Sequence, residues 1–221
     1  LVKALPADGR AVLNFDDEIV LDMKEYSRAR VLTYGFGSGA ALRASNYKIS
    51  PEGVNFKIEY EGAAVPIKLN KVFGKLYVYA ALAAAACGII FEMNLIEIAQ
   101  ALQRFKPLPG RLNILDGIRK SLILDDSYNA SPLAAHAALD VLEELASTVG
   151  AQRKIFVFGD MLEIGKFTIL AHKAVGERAA MVSDILVTIG PRSKFAAEEA
   201  RAQGMASENI HSFSVSEEAA A

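Results

Sequence analysis

The sequence predicts an α/β protein in two regions: a mixed sheet carrying an antiparallel β meander, then a Rossmann-like alternation of strands and helices. Three observations lead there. First, Val54, Phe56, Ile58 and Tyr60 alternate with Asn55, Lys57 and Glu59, and Val65, Ile67 and Leu69 alternate with Pro66, Lys68 and Asn70. Period-two alternation marks half-buried strands, and the turn signals Pro51-Glu52-Gly53 and Glu61-Gly62 fold them into a meander over residues 46–72. Second, beyond residue 110 short β-branched runs alternate with helical patterns, the order of parallel βαβ units. Third, Lys106-Pro107-Leu108-Pro109-Gly110 stops one pattern before the other begins and reads as a linker. The expected division is residues 1–108 and 109–221.

In chain order, a short strand over 11–14 ends in Asn14-Phe15-Asp16-Asp17, and a second over 30–34 ends in Gly35-Phe36-Gly37-Ser38-Gly39. The glycine spacing is not Gly-x-Gly-x-x-Gly, and the chain continues into the meander rather than a helix. A pyrophosphate would lack its helix N-terminus, so this segment reads as a flexible loop and a nicotinamide enzyme is disfavoured. Helices over 75–87 and 95–104 follow the meander; Cys87, in the Ala-rich first of them, reads as a small buried hydrophobe. After the linker, a strand over 121–124 ends in Asp125-Asp126, which places Asp125, Asp126, Tyr128 and Asn129 at the carboxyl edge of an α/β sheet, where ligands bind. Ser131 as N-cap and Pro132 at the first helical position open a helix over 132–147, whose Ala134, Ala138, Val141, Leu142 and Leu145 form one apolar stripe. Strands over 154–158, 184–189 and 210–215 alternate with helices over 168–182 and 193–203.

Composition narrows the function classes. The 221 residues are 52% hydrophobic and 23% charged with a formal net charge of −2, which gives no general attraction to nucleic acid or anionic membrane. The apolar run over 78–91 is interrupted by Gly88 and too short for a bilayer span. The first residues carry no signal-peptide pattern, and the single cysteine fits a reducing compartment. The chain opens at Leu1, and residues 216–221 read as the start of a helix, so a fragment of a longer protein is expected. No Gly-x-x-x-x-Gly-Lys-[Ser/Thr] phosphate loop occurs, and no His, Cys and carboxylate spacing suggests a metal site. His172 lies inside a predicted helix and reads as a satisfied structural histidine rather than a base.

Two longer motifs, Asp125-Asp126-Ser127-Tyr128-Asn129-Ala130-Ser131-Pro132 and Val157-Phe158-Gly159-Asp160-Met161-Leu162-Glu163-Ile164-Gly165 followed by His172, resemble the Mur ligases. Leu13-Asn14-Phe15-Asp16-Asp17 and Pro109-Gly110-Arg111 stand in the same order as their counterparts, so the resemblance spans nearly the whole chain. It is strongest to the members that add D-alanyl-D-alanine to a UDP-N-acetylmuramoyl-tripeptide in cytoplasmic peptidoglycan synthesis. The fold it implies is the back half of a Mur-ligase central domain followed by a Rossmann-like C-terminal domain, truncated at its end. The activity it implies uses ATP and Mg2+ to make an amide bond through an acyl phosphate, with no nucleic-acid partner and no membrane span.

The resemblance also implies roles. Arg111 matches the linker arginine that contacts nucleotide phosphate, and Asp126 the carboxylate that faces the nucleotide at its ribose. Asn14 and Asp17 match a nucleotide-binding motif of the central domain, while Asp16 reads as a strand-end cap. Ser127, Tyr128 and Asn129 flank Asp126 on the substrate side; in some sister ligases a lysine takes the Tyr128 position. Asp160 and Glu163 either face the incoming dipeptide or hold their loop. The family's Gly-x-His-Asn-x-x-Asn-Ala entry into the Ala-rich helix is here Gly74-Lys75-Leu76-Tyr77-Val78-Tyr79-Ala80-Ala81, so Tyr77 is assigned to adenine by stacking. The family's phosphate loop and main magnesium ligands lie upstream of Leu1. No catalytic residue or metal ligand is therefore assigned here, and the isolated chain is expected to be inactive. The alternatives are a Mur-type ligase for another amino acid, or a non-catalytic nucleotide- or peptide-binding module.

Overall fold

Alternating apolar side chains on neighbouring strands define the first of two units, Leu1–Lys106, in a computed structural model that describes residues 1–220. Its strands β1 (Arg10–Asn14), β2 (Arg30–Gly35), β3 (Leu42–Ser50), β4 (Gly53–Tyr60) and β5 (Ala63–Asn70) pair in sequence order. The β1–β2 and β2–β3 pairs are parallel, whereas β3–β4 and β4–β5 are antiparallel, so the sheet is mixed and ends in the meander. A short helix α1 (Glu18–Asp22) follows β1, and α2 (Lys75–Ile90) and α3 (Leu95–Gln103) follow β5. Val54, Phe56 and Ile58 of β4 and Ile67 and Leu69 of β5 are buried with Val78, Ala81, Leu82, Ala85 and Ala86 of α2 in one core. Alanines on that helix face let its backbone approach the sheet closely.

Three features depart from the expected elements. The meander starts at Leu42, because a bulge between Ser45 and Lys48, with Asn46 at φ 54°, interrupts the alternation there. Helix α2 runs on through Gly88 to Ile90. Cys87 is exposed rather than buried, since the core face of α2 falls on Ala81, Leu82, Ala85 and Ala86 and position 87 turns away from it. Helix α3 starts at a capping box: Asn94 Oδ1 accepts from the Ile96 and Glu97 N–H groups while the Glu97 carboxylate accepts from Asn94 N–H.

The second unit, Pro107–Ala221, contains β6 (Asn113–Asp116), β7 (Leu122–Asp125), α4 (Pro132–Val149), β8 (Ile155–Gly159), α5 (Thr168–Val182), β9 (Ile185–Ile189), α6 (Lys194–Ala202), β10 (Ile210–Phe213) and α7 (Ser216–Ala219). Strands β8, β9 and β10 form a parallel sheet in the order β10-β9-β8, as βαβ units require. Strand β7 was expected in a parallel βαβ arrangement; it pairs antiparallel with β6 in a separate two-stranded ribbon. The short connection explains this: Gly117 N–H donates to Ser121 C=O and Ser121 N–H to Ile118 C=O, a turn too tight for a crossover. Leu139 of α4, Phe158 of β8, Met161, Val175 and Ala179 of α5, Leu186 of β9 and Ala196 and Ala200 of α6 share the second core. Arg178 also reaches from α5 to Asp140 and Glu143 of α4, at 2.7 Å each, an exposed pairing of small energetic weight. Among the described residues no helix is long and apolar enough to cross a membrane.

Candidate functional site

In the first unit the parallel strands β1 and β2 end side by side, and the segments leaving them are tied together by Asp16. Its carboxylate accepts from Phe36 N–H at 2.6 Å, Gly37 N–H at 2.9 Å and the Tyr79 hydroxyl at 2.8 Å. A Cβ on Gly35 or Gly37 would stand 2.7 Å from an Asp16 oxygen, so the close approach depends on the missing side chains. Phe36 packs edge-on against Tyr79, with ring centroids 5.1 Å apart, and against Tyr47 at 6.2 Å. Burial raises the Asp16 pKa, but the hydrogen bonds from Phe36, Tyr79 and Gly37 outweigh it and hold the carboxyl below its ordinary value of 3.8. Burial and the adjacent Asp16 push the Tyr79 hydroxyl pKa well upward.

Asp16 keeps the structural role expected of it, but its carboxylate caps the segment leaving β2 rather than its own strand. The local caps are made by its neighbours: Asn14 Oδ1 accepts from Asp16 N–H at 3.1 Å, and Asp17 Oδ1 accepts from Val20 N–H at 3.0 Å as the N-cap of α1. The Gly35–Gly39 segment, expected to be a flexible loop, is pinned by Asp16 and packed on Phe15, whose ring a Cβ on Gly39 would meet at 2.5 Å. Tyr79 was missed from sequence because a half-buried helix tyrosine carries no spacing signal for a carboxylate in a distant loop. Tyr77 stands apart from this group. Its half-buried ring packs on the first core and lies 6.0 Å from the Phe105 ring.

In the second unit the structure brings Arg111, Asp126, Ser127 and Tyr128 together. Asp126 Oδ1 accepts from Leu112 N–H at 3.1 Å, and Tyr128 N–H donates to Gly110 C=O at 3.1 Å. The Arg111 guanidinium lies over the Tyr128 ring, its Cζ 4.2 Å from the centroid, within cation–π range. Gly110 adopts φ 71°, and a Cβ there would lie 3.1 Å from Tyr128 N and 3.5 Å from Ser127 Oγ. Asp126 is half-buried. Burial raises its pKa, opposed by the Leu112 N–H and the Arg111 charge and helped by the neighbouring Asp125, and the balance lies above the ordinary value. Asn129 is exposed beside this group.

Asp160 and Glu163 belong to a separate loop at the carboxyl end of β8. Asp160 Oδ1 accepts from Arg192 N–H at 2.9 Å and Ser193 N–H at 2.7 Å, so its carboxylate holds the turn between β9 and α6. Glu163 is exposed at φ 61°. His172, fully buried, accepts from Met161 N–H through Nε2 at 3.0 Å and contacts the Thr168 carbonyl through Nδ1 at 2.7 Å. With Nδ1 donating and Nε2 accepting, the ring has no lone pair left for base chemistry. Replacing His172 with phenylalanine strands the Met161 N–H in the core. Urea denaturation is expected to show a loss of about 2 kcal/mol, and unchanged stability would contradict the assignment.

Comparison with known proteins covers both units. Residues 1–88 match the Mur ligase middle domain and residues 110–221 the Mur ligase, glutamate ligase domain. The UDP-N-acetylmuramoyl-tripeptide–D-alanyl-D-alanine ligase of Escherichia coli (strain K12) is 30% identical over 197 residues, covering 87% of this chain and 42% of the relative. The Bacillus subtilis (strain 168) protein of the same name is 32% identical over 206 residues, covering 90% and 42%. Crystal structure I of MurF from Acinetobacter baumannii superposes with a TM-score of 0.82 at 25% identity, over 97% of this chain and 44% of that one. MurF from Thermotoga maritima in complex with ADP gives 0.76 at 22% identity, over 96% and 46%, a likeness of fold. The chain therefore spans a little under half the length of these relatives. With each unit matched to its own domain of one enzyme family, the chain belongs to the Mur ligases.

Proposed function

We propose that this chain is part of an ATP-dependent cytoplasmic ligase that adds D-alanyl-D-alanine to a UDP-N-acetylmuramoyl-tripeptide. The observation that carries the reading is the stitching of Arg111 to the Asp126–Tyr128 loop in the second unit. A guanidinium and a carboxylate held on adjoining loops suit the two ends of a nucleotide. Arg111 meets phosphate charge with planar N–H donors, and the Asp126 oxygen not engaged by Leu112 accepts from a ribose hydroxyl. Bound ATP supplies the phosphoryl group that activates the tripeptide carboxylate as an acyl phosphate, which the dipeptide amine displaces with loss of phosphate. Among the described residues no group of three or more His, Cys, Asp or Glu side chains is placed to hold a metal, so Mg2+ is assigned to no residue of this chain.

On the amine side, Ser127 and Asn129 beside Asp126 and Glu163 beyond β8 present exposed polar side chains at their loops, while Asp160 shapes the edge by fixing the β9–α6 turn. In the first unit Asn14 and Asp17 act by building the β1–α1 corner. Tyr77, half-buried with its ring beside Phe105, is the residue assigned to adenine stacking.

The deciding experiment is Asp126→Ala in the longer ligase that carries this chain. Turnover should fall on the order of 10²-fold, as expected for removal of a preorganised polar contact at a reacting nucleotide, and near-normal turnover would sink the assignment. The 221-residue chain alone contains no phosphate-loop motif and should release no phosphate from ATP; measurable release overturns that part of the reading.

A further inference from the structure

We propose that Tyr128 is a positioning residue: its ring aims the Arg111 guanidinium, and this stacking, rather than any contact with the amine substrate, is its contribution to the reaction. The proposal rests on the nucleotide reading of Arg111 given above. An arginine on a linker has many rotamers, and holding it toward a phosphate costs the entropy of a long side chain. Here three consecutive residues are fixed by two residues of the facing loop. Gly110 C=O accepts from Tyr128 N–H, the Arg111 guanidinium lies on the Tyr128 ring, and Leu112 N–H donates to Asp126. The left-handed φ of 71° at Gly110 makes the register possible, because a side chain there would press within 3.2 Å of Tyr128 Cβ.

The ring itself is 71% exposed, so it is not retained for core packing. One face of the ring carries the cation, at 4.2 Å. Stacking uses the face of a guanidinium and none of its in-plane N–H donors, the donors that recognise phosphate. The tyrosine hydroxyl takes no part in this arrangement, so a phenylalanine should serve as well. A lysine at this position would supply charge of its own but no plate for the arginine.

The test has two arms. In the 221-residue chain, NMR should show the Arg111 Hδ protons shifted upfield by the Tyr128 ring, the shift lost in Tyr128→Leu and restored in Tyr128→Phe. In the longer ligase, Tyr128→Leu should raise the KM for ATP about two- to fivefold, the range of an exposed cation–π contact, and leave the KM for D-alanyl-D-alanine unchanged. In an Arg111→Ala background the same substitution should add nothing. An equal effect with and without Arg111, or an effect on the dipeptide KM instead, overturns the proposal. An unshifted Arg111 resonance in the unmodified chain overturns the stacking itself. An Arg111→Ala enzyme with unchanged KM for ATP overturns the nucleotide reading beneath it.

Discussion

Replacing Gly176 with alanine is expected to destabilise the second unit by about 3 kcal/mol, at the upper end of what overpacking a core costs. Gly176 is buried on α5, where that helix crosses α6. A Cβ there would stand 2.2 Å from the Ala196 carbonyl oxygen, 2.7 Å from its Cα and 2.8 Å from its carbonyl carbon. All three atoms are backbone, so no rotamer change relieves the clash and the helices must move apart. Separation loosens the contact among Ala179, Ala196, Ala197 and Ala200, which are buried because both helices carry small residues there. Alanine gains about 1 kcal/mol over glycine in helix propensity, which does not offset a displaced helix pair. Thermal melting should register a fall of about 10 °C or more for a unit of this size. A variant that melts with the parent would show that α5 and α6 are not so close.

The features that were legible in the sequence are those whose cause is local. The meander follows from alternation at Val54, Phe56 and Ile58, all buried, against Lys57, exposed. The start of α4 follows from Ser131, whose Oγ accepts from Ala134 N–H, and from Pro132 behind it. His172 as a structural residue was legible because a histidine inside a helix has little reach. By contrast β6 is four residues long with no alternation, and its turn to β7 places Arg119 and Lys120 at positive φ, where neither residue type signals a turn. Motif resemblance singled out Pro109-Gly110-Arg111 and the Asp126 loop separately, but their pairing and the ring contact between Arg111 and Tyr128 are tertiary facts with no local trace. Asp160 gives the same lesson: its partners, Arg192 and Ser193, lie 32 and 33 residues away.

Removing the Asp16 carboxylate is expected to cost the first unit about 3 kcal/mol at neutral pH, since charge-assisted hydrogen bonds contribute roughly 1.5–3 kcal/mol each and water recovers much of the loss at this exposed position. Asp16→Ala leaves Phe36 N–H, Gly37 N–H and the Tyr79 hydroxyl without their acceptor, and these partners lie 20, 21 and 63 residues away. One side chain therefore joins the β1 corner, the glycine loop and the first turns of α2. Asp16→Asn keeps the shape but turns an NH2 group toward donors, so it should fall between alanine and the parent. Tyr79→Phe removes one bond and should cost about 1 kcal/mol, with little further loss in the Asp16→Ala background. The effect has a pH signature. Because the folded-state pKa lies below 3.8, the carboxylate's contribution is complete above that value and drains away as pH falls through the folded-state pKa. The stability gap between parent and Asp16→Ala, measured by urea titration at pH 7 and at a series of pH values below 3.8, should therefore narrow as the pH falls. A gap of equal size at all of these pH values would mean that packing of the side chain, and not its charge, holds the glycine loop to the strand end.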